Sequence, residues 1–309
     1  MTHQSNSSGG STRHQGFSAG IGRWIGSAEV YSGDGQFLGN AHDQRHVQRI
    51  SGENAVKIDL SFVGPFKFTG SYTIADHKTH RLYQGPANYG YAETLASNLI
   101  DANAYWPVTG LSQKFFLMVL GDRQMSLALM SRGSQLIYVV VGEYQRVDSA
   151  WQGANPILQN GTSFDFAGDP AGGRSEILMQ REGEWRGTLS ALDGDLNWLG
   201  ETQYQEITQT TDDGPRTTFI GSHFDPEPRQ VDFHTNGWLA WSKAGEVVGS
   251  YSLSGGRALS GEFHHLAQGL RVWRREVISH DGTTKAVVHN WYRGGQRVGV
   301  QYGVLSFAK

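Results

Sequence analysis

The sequence repeats itself at a fixed offset of 161 residues. The pentapeptide Gly22-Arg23-Trp24-Ile25-Gly26 returns as Gly183-Glu184-Trp185-Arg186-Gly187, and Phe37-Leu38-Gly39 returns as Trp198-Leu199-Gly200. Several matches in one register are typical of an internal duplication, in which each copy is one structural unit. The offset therefore predicts two units, at about 22–147 and 183–308.

The segments outside these units differ from them in composition. Residues 1–16 are rich in Ser, Gly, His and Gln and lack the apolar stretch of a secretory signal, so we expect a disordered leader. Residues 148–182 are polar and rich in turn-forming residues, which predicts a linker. The predicted domains are 17–147 and 183–309, and a cytoplasmic location is the default expectation.

Short apolar or alternating runs recur about every ten residues in both units. Turn-forming pairs such as Gly121-Asp122 and Gly294-Gly295 separate them, which is typical of antiparallel hairpins. The pattern predicts an all-β chain with two tandem antiparallel barrels of about eight strands each. The one exception is Tyr91–Ala102, where Leu95, Leu99 and Ala102 have helical spacing and predict a helix.

The Gly-x-Trp-x-Gly motif, at the start of a strand that opens an antiparallel meander, resembles the calycins, which include the lipocalins. The resemblance implies that Trp24 and Trp185 close the base of each barrel beside a basic side chain from a late strand. Arg146 is in place for this in the first unit, whereas its counterpart by register is Phe307. Calycins include carriers, haem proteins, lyases, isomerases and cyclases, so the resemblance alone does not choose a function.

Composition excludes several classes of protein. The chain has 26 Lys and Arg against 29 Asp and Glu, so its net charge of −3 argues against a nucleic-acid partner held by bulk electrostatics. No apolar run reaches the ~20 residues of a membrane span. The absence of Cys excludes disulfides and thiolate metal sites.

The late strands of the first unit are apolar on both faces. They are Phe115–Leu120, Leu127–Met130 and Leu136–Val141. A barrel strand needs only one apolar face when the other face meets water. We therefore expect the outer face to pack on the second unit or, in a homodimer, on a second subunit. The inner face predicts a cavity for a hydrophobic small molecule.

The second unit carries polar residues on its late strands. By the 161-residue register His289 replaces Ala128 and Glu276 replaces Phe115. His289 with Trp291, near Trp273 or Arg271 of the neighbouring strand, predicts an acid–base group in an aromatic cavity. The alternative is that these residues lie on an outer face, because alternation alone does not say which face is inside.

Further candidates are His265, Trp241, Tyr292 and His46. Of the adjacent pair His264-His265, at most one side chain can enter a barrel. His46 lies four residues after His42, but in a strand this spacing separates the two rings by about 13 Å, so we predict no metal site.

Two main hypotheses follow. The first is a cofactor-independent lyase, isomerase or cyclase that acts on a hydrophobic or aromatic small molecule through His289, His265 and Arg271. The ligand-binding residues would be Trp273, Trp291, Trp241, Tyr292 and His46. The second is a carrier of a lipid, haem or bilin, where haem would use His289. An assembly role for the apolar strands is a third.

Overall fold

The computed structural model describes residues 16–77, 80–85, 88–147, 176–242 and 245–308. In these residues the chain forms two closed antiparallel barrels of ten strands each, with neighbours in chain order and the first strand closing on the last. The strands of the first barrel are β1 (Gly22–Ser32), β2 (Phe37–Arg49), β3 (Ala55–Val63), β4 (Lys67–His77), β5 (His80–Gln84), β6 (Tyr89–Ala96), β7 (Leu99–Trp106), β8 (Leu111–Leu120), β9 (Arg123–Arg132) and β10 (Gln135–Val147).

The strands of the second barrel are β11 (Gly183–Asp193), β12 (Trp198–Thr211), β13 (Gly214–Ile220), β14 (Arg229–Asn236), β15 (Leu239–Ser242), β16 (Val247–Ser254), β17 (Ala258–His265), β18 (Leu270–Ile278), β19 (Thr284–Arg293) and β20 (Gln296–Ala308). Three short 3-10 turns, at Ser18–Gly20, Leu178–Gln180 and Leu266–Gln268, complete the described secondary structure. The first two turns directly precede the opening strands β1 and β11. No helix in these ranges combines the length and apolar character needed to cross a membrane.

The predicted tandem lipocalin-like, all-β architecture is confirmed, although each barrel has ten strands rather than about eight. The helix predicted over Tyr91–Ala102 is wrong, because these residues form the β6–β7 hairpin. The chain reverses after Ala96, which pairs with Leu99, and this reversal places the two residues side by side. The spacing of Leu95, Leu99 and Ala102 therefore comes from buried residues on both strands of a hairpin, not from one face of a helix.

The 161-residue offset holds for the strands at both ends of each barrel. It relates the start of β1 to β11, of β2 to β12, of β9 to β19 and of β10 to β20. It fails at β8, because the loop between β18 and β19 is longer than the two-residue turn between β8 and β9. Phe115 pairs with Ala128 where Arg274 pairs with His289. The prediction that Glu276 replaces Phe115 is therefore wrong, since Arg274 takes that place.

The base of the first barrel is closed as the calycin resemblance implies. Trp24 is fully buried and donates its indole N–H to the carbonyl of Gly20 at 2.8 Å. The Arg146 guanidinium lies 4.3 Å from the centre of the Trp24 ring and donates to the carbonyl of Ala19 at 2.9 Å. Arg146 thus joins the last strand, the 3-10 turn and the tryptophan.

The second barrel closes its base with a cation from another segment. Arg181 lies 3.4 Å from the centre of the Phe307 ring, and that ring packs edge-on against Trp185. The cation therefore comes from beside the 3-10 turn rather than from the last strand. Leu178 of the same turn is buried in the core around Trp185, so the described end of the predicted linker packs on this barrel.

A continuous apolar core joins the two barrels. Phe116, Met118 and Leu127 of the first barrel share it with Val288 and Val300 of the second, and all are nearly inaccessible to solvent. The expectation that the apolar outer face of the late strands packs on the second unit is confirmed. Because this covering is within one chain, the apolar face no longer argues for a homodimer.

Buried ion pairs cross the same interface. Arg275 donates to both carboxylate oxygens of Asp101, at 2.8 and 2.6 Å, and both side chains are fully buried. Arg257 donates to both oxygens of Glu29 at 3.2 Å. Such geometry, with each charge directly paired, fixes one relative placement of the two barrels.

Candidate functional site

The first barrel encloses a cavity of about 400 Å³. This volume lies within the ~300–1,000 Å³ of typical ligand pockets. Alternate residues of the strands point inward, as in Ile58, Leu60 and Phe62 of β3, and give the cavity an apolar wall. Other apolar lining residues are Val47, Phe66, Phe68, Tyr72, Ile74, Tyr83, Ile100, Trp106, Leu111, Phe115, Leu117, Ala128, Met130, Tyr138 and Val140.

Aromatic rings along this wall are arranged in stacked pairs. Phe62 and Phe66 lie 4.8 Å apart between ring centres, with an angle of 18° between the rings. Tyr72 and Tyr83 are also 4.8 Å apart, at 26°. Stacked rings present flat π surfaces, which favour contact with flat, unsaturated ligands.

A cluster of polar residues lies in the wall of this largely apolar cavity, which is also lined by Lys67, Thr109 and Gln113. We call this cluster the polar floor, and it consists of Asp43, Arg45, Ser126 and Tyr144. Arg45 donates through Nη2 to Asp43 Oδ2 at 2.7 Å and to the Tyr144 hydroxyl at 2.6 Å. The guanidinium also lies 4.0 Å from the centre of the Tyr144 ring. The carboxylate and the phenol thus hold the arginine in one orientation.

Arg45 and Tyr144 of the polar floor each keep one protonation state over the physiological range. Burial would lower the pKa of Arg45, but Asp43 and the neighbouring phenols outweigh it and raise that pKa above its usual value. Burial raises the pKa of Tyr144 and of Tyr72. The floor therefore presents one ion pair and neutral hydroxyl groups to a ligand.

The second barrel has almost no internal space. Its lumen holds about 30 Å³, which is room for one or two water molecules. The expectation that the reactive residues of the second unit surround an open cavity is therefore wrong. Charged or titratable side chains occupy the positions that Arg45, Phe115, Leu117 and Ala128 hold in the first barrel; in the same order, these are Glu206, Arg274, Glu276 and His289.

These side chains neutralise one another. Arg274 contacts Glu206 and lies 2.5 Å from Glu276, while Lys285 contacts Glu206 and lies 3.3 Å from Glu276. His289 Nε2 is 3.0 Å from Glu276 Oε1. Burial would raise the pKa of Glu276, but Arg274 and Lys285 hold it well below its usual range. Burial, with Arg274, lowers the pKa of His289.

The arrangement of Glu206, Glu276 and His289 places three potential metal ligands within 4.8 Å of one another. Arg274 and Lys285 already pair with both carboxylates, so a divalent cation would meet two fixed positive charges. The donor set therefore does not fit a metal ion, and the cluster acts as a packed ionic core.

His265 belongs to a second polar group at one end of this barrel. Its Nδ1 lies 2.6 Å from Asp225 Oδ2, and Arg229 donates to both oxygens of Asp225 at 2.8 Å. Burial lowers the pKa of His265, which favours the neutral ring. In that form Nδ1–H donates a hydrogen bond to the Asp225 carboxylate. Its neighbour His264 is exposed, so one histidine of the pair enters the barrel, as predicted.

The structure brings together some of the sequence-predicted residues. His265, Arg271 and Tyr292 line one surface groove of about 310 Å³ at the end of the second barrel. Trp291 faces the lumen and contacts the His265 ring at 5.2 Å between centres. His289 also faces the lumen, but beside Glu276 rather than Trp273.

Four predicted ligand-binding residues lie on outer faces. Trp273 packs at the interface of the two barrels and donates to Ser260 at 3.2 Å, while Tyr292 packs against Arg271. Trp241 is 40% exposed beside His234. His46 contacts Gln48 outside the barrel, because Arg45 and Val47 take the inward positions of β2. None of these four side chains lines either barrel lumen, although Tyr292 lines the groove beside His265.

Sequence reasoning missed the polar floor of the first barrel. Asp43, Arg45 and Val47 are spaced two residues apart and therefore share one face of β2, but this spacing does not say whether that face is inside the barrel. The predicted ligand-binding residue His46, like His42, lies on the opposite face of the same strand.

Haem does not fit the residues present. The histidine proposed for it, His289, is engaged by Glu276 in a lumen of about 30 Å³. Among the described residues that line the first cavity, none is histidine. A histidine-ligated haem therefore has no site in either described lumen.

Comparisons with known proteins extend to the fold alone. No protein-family model and no curated protein matches this sequence. The structure is similar to that of a protein of unknown function from the DUF3598 family of Nostoc punctiforme, with a TM-score of 0.61 and 13% identity over 96% of this chain and 99% of that one. An S-type phycobiliprotein lyase from Guillardia theta aligns with 46% of this chain and 96% of its own, with a TM-score of 0.37 and 9% identity.

Proposed function

We propose that the first barrel binds a hydrophobic, ring-containing small molecule in its cavity. The observation that carries this proposal is the contrast between two lumens of one architecture, about 400 Å³ in the first barrel and about 30 Å³ in the second. Natural cores are filled to a density near ~0.74, so a large apolar space walled by rigid strands is costly unless it serves a ligand.

The shape of the wall favours rings over flexible chains. Stacked pairs such as Phe62–Phe66 and Tyr72–Tyr83 line the cavity and give its wall flat ring surfaces. At protein-like density, 400 Å³ accommodates about 300 Å³ of ligand, which is the size of roughly twenty non-hydrogen atoms, or four to five fused rings. A pigment or other aromatic ligand therefore fits this wall better than a lipid.

The test is a titration with the neutral fluorophore N-phenyl-1-naphthylamine. We expect saturable binding of one probe per chain, because only the first lumen has room for it. Ala128→Trp places a large ring in the cavity and should weaken binding at least tenfold, since the indole takes space the probe needs. Gln135→Trp adds the same ring at an exposed position and should bind like wild type. A folded Ala128→Trp variant with unchanged affinity would refute the proposal.

A catalytic role is a second candidate, and one observation favours it. His265 is oriented by Asp225 and borders the groove that Arg271 and Tyr292 also line. A neutral imidazole held by a carboxylate is a suitable general base. The lyase or isomerase interpretation stays a prediction, and this group, rather than His289, is the one on which it would depend.

A further inference from the structure

We infer that the open end of the first barrel docks on a phospholipid membrane, so that a hydrophobic ligand passes between the bilayer and the cavity. The inference goes beyond the proposed function and rests on it only for what is exchanged. It concerns the rim, by which we mean the end of this barrel that carries the β3–β4 and β7–β8 turns. The rim residues that carry the argument are Leu38, Val63, Lys67, Tyr89, Tyr105 and Val108.

The cavity opens at the rim. Lys67, which follows the β3–β4 turn, and Thr109, in the β7–β8 turn, both line the cavity and are both exposed to solvent. At the opposite end the fully buried Trp24, with the Arg146 guanidinium over its ring, closes the barrel. A ligand therefore enters and leaves through the rim.

The large exposed apolar side chains of the first barrel are concentrated at this end. Leu82 and Tyr91 lie near the middle of their strands. The other five among the described residues lie in a rim turn or in the last two residues of a strand beside one; these are Leu38, Val63, Tyr89, Tyr105 and Val108. Exposed apolar surface collected in one place marks an interaction site.

Val108 extends furthest into solvent. It is 92% exposed, more than any other large apolar residue in the described part of the chain. Gly110 N–H donates to the Trp106 carbonyl at 2.9 Å and closes the turn that presents Val108. Turn positions ordinarily hold Gly, Pro, Asn, Asp or Ser. A valine with so little contact inside the fold offers its apolar surface to a partner.

The neighbouring side chains match a membrane surface. Tyr89 and Tyr105 pair across β6 and β7, with 5.8 Å between ring centres. Tyrosine favours the headgroup level of a bilayer, where the ring is partly apolar and the hydroxyl is hydrated. The charged residues described at the rim are Asp34, Lys67 and Arg132, so the rim has a surplus of positive charge although the chain carries −3. This surplus favours anionic lipid headgroups.

The arrangement favours a bilayer over a protein partner. The apolar rim residues are spread over β2, β3, β6, β7 and a turn, around the opening of the cavity. A bilayer covers such a ring without a complementary shape and gives a hydrophobic ligand an apolar path. A protein seated there would cover the opening instead.

Co-sedimentation with vesicles tests the inference. Wild type is mixed with vesicles of phosphatidylcholine alone or of phosphatidylcholine with phosphatidylserine. We expect saturable binding that is about fivefold tighter to the anionic vesicles, the effect of roughly one basic residue at the surface. Val108→Asp should bind the anionic vesicles at least about tenfold more weakly, because an ionised carboxylate replaces an apolar side chain in the bilayer.

The internal duplication supplies a matched control. Leu38 and Leu199 are related by the 161-residue offset and are 39% and 43% exposed. Leu38→Asp at the rim should weaken vesicle binding, whereas Leu199→Asp in the second barrel should bind like wild type. Because both variants add the same charge, equal losses would show a general charge effect and would overturn the inference.

The remaining outcomes separate the inference from the proposed function. Wild type that sediments with neither vesicle, or Val108→Asp that sediments like wild type, overturns the inference. So does dimerisation, seen by light scattering, that Val108→Asp abolishes while no vesicle is bound. Val108 does not line the cavity, so Val108→Asp should bind N-phenyl-1-naphthylamine like wild type when no vesicles are present. Failure of the wild type to bind that probe refutes the proposed function and leaves the membrane contact standing.

Discussion

At the scale of single residues, the two barrels differ in what fills the same inward positions. Ala128 of β9 is replaced by His289, and Phe115 of β8 is replaced by Arg274. Small or apolar residues leave a space in the first barrel, whereas long charged side chains meet and neutralise one another in the second. The same backbone thus gives a cavity in one case and an ionic core in the other.

The buried histidine of the ionic core predicts a pH dependence of stability. The pKa of His289 is lowered in the folded protein, so the unfolded chain binds a proton first as the pH falls below about 6.5. Above that pH, the contribution of the neutral His289 ring to the free energy of unfolding is fully present. As the pH falls below about 6.5 this stability is lost, with a slope of up to about 1.4 kcal/mol per pH unit.

Urea unfolding of wild type and His289→Gln at several pH values measures this slope. The variant should lose less stability than wild type between about pH 6.5 and 5, because glutamine binds no proton. His264→Gln, which alters an exposed ring, should leave the slope unchanged. Parallel pH profiles for wild type and His289→Gln would show that His289 does not carry the effect.

At the scale of elements, the period-two pattern and the turn signals are enough to predict strands, and the tandem repeat is enough to predict two barrels. The inward face of each strand was not predictable, because alternation is symmetric about the sheet. His46 and Arg45 illustrate this, since they are adjacent on β2 and point to opposite sides. The β6–β7 hairpin was missed because Leu95 and Leu99 are both buried between the barrels, a contact absent from the local sequence.

A cation at the base of each barrel connects a strand to the 3-10 turn before the barrel. Replacing that cation by alanine tests how much the contact stabilises the fold. Arg146 joins β10 to the Ser18–Gly20 turn through the carbonyls of Ile21 and Ala19 and the ring of Trp24. Arg146→Ala should cost about 1–3 kcal/mol in the free energy of unfolding, from charge-assisted hydrogen bonds and cation–π contact on a partly exposed side chain. Chemical denaturation measures this.

The matched control is Arg132→Ala, at the exposed end of β9, which should change stability by less than about 0.5 kcal/mol. Equal effects of the two substitutions would mean that the calycin-like base contact does not stabilise the fold.

At the scale of the whole molecule, the barrels share a core and buried charges, so we expect them to unfold together. Asp101 is the centre of this contact, with Arg275 at 2.6 Å and Lys114 at 3.0 Å. Burial would raise the pKa of Asp101, but these two cations hold it below its usual value. Removing the carboxylate leaves buried cations unpaired, which typically costs about 3–5 kcal/mol.

Scanning calorimetry of wild type and Asp101→Ala tests this coupling. Wild type should show one transition, and the variant should show a lower midpoint for both barrels. Asp122→Ala, which removes an 82% exposed partner of Arg146, should cost at most about 1 kcal/mol. Two separate wild-type transitions would contradict a single cooperative unit.

The proposal for the first barrel is tested most directly by a crystal structure of the chain with N-phenyl-1-naphthylamine bound. We expect one fluorophore inside the first barrel, between the rings of Phe62 and Phe115, with the second lumen closed around its ionic core. A fluorophore found in the second barrel, in the groove beside His265 or only on the outer surface would contradict it.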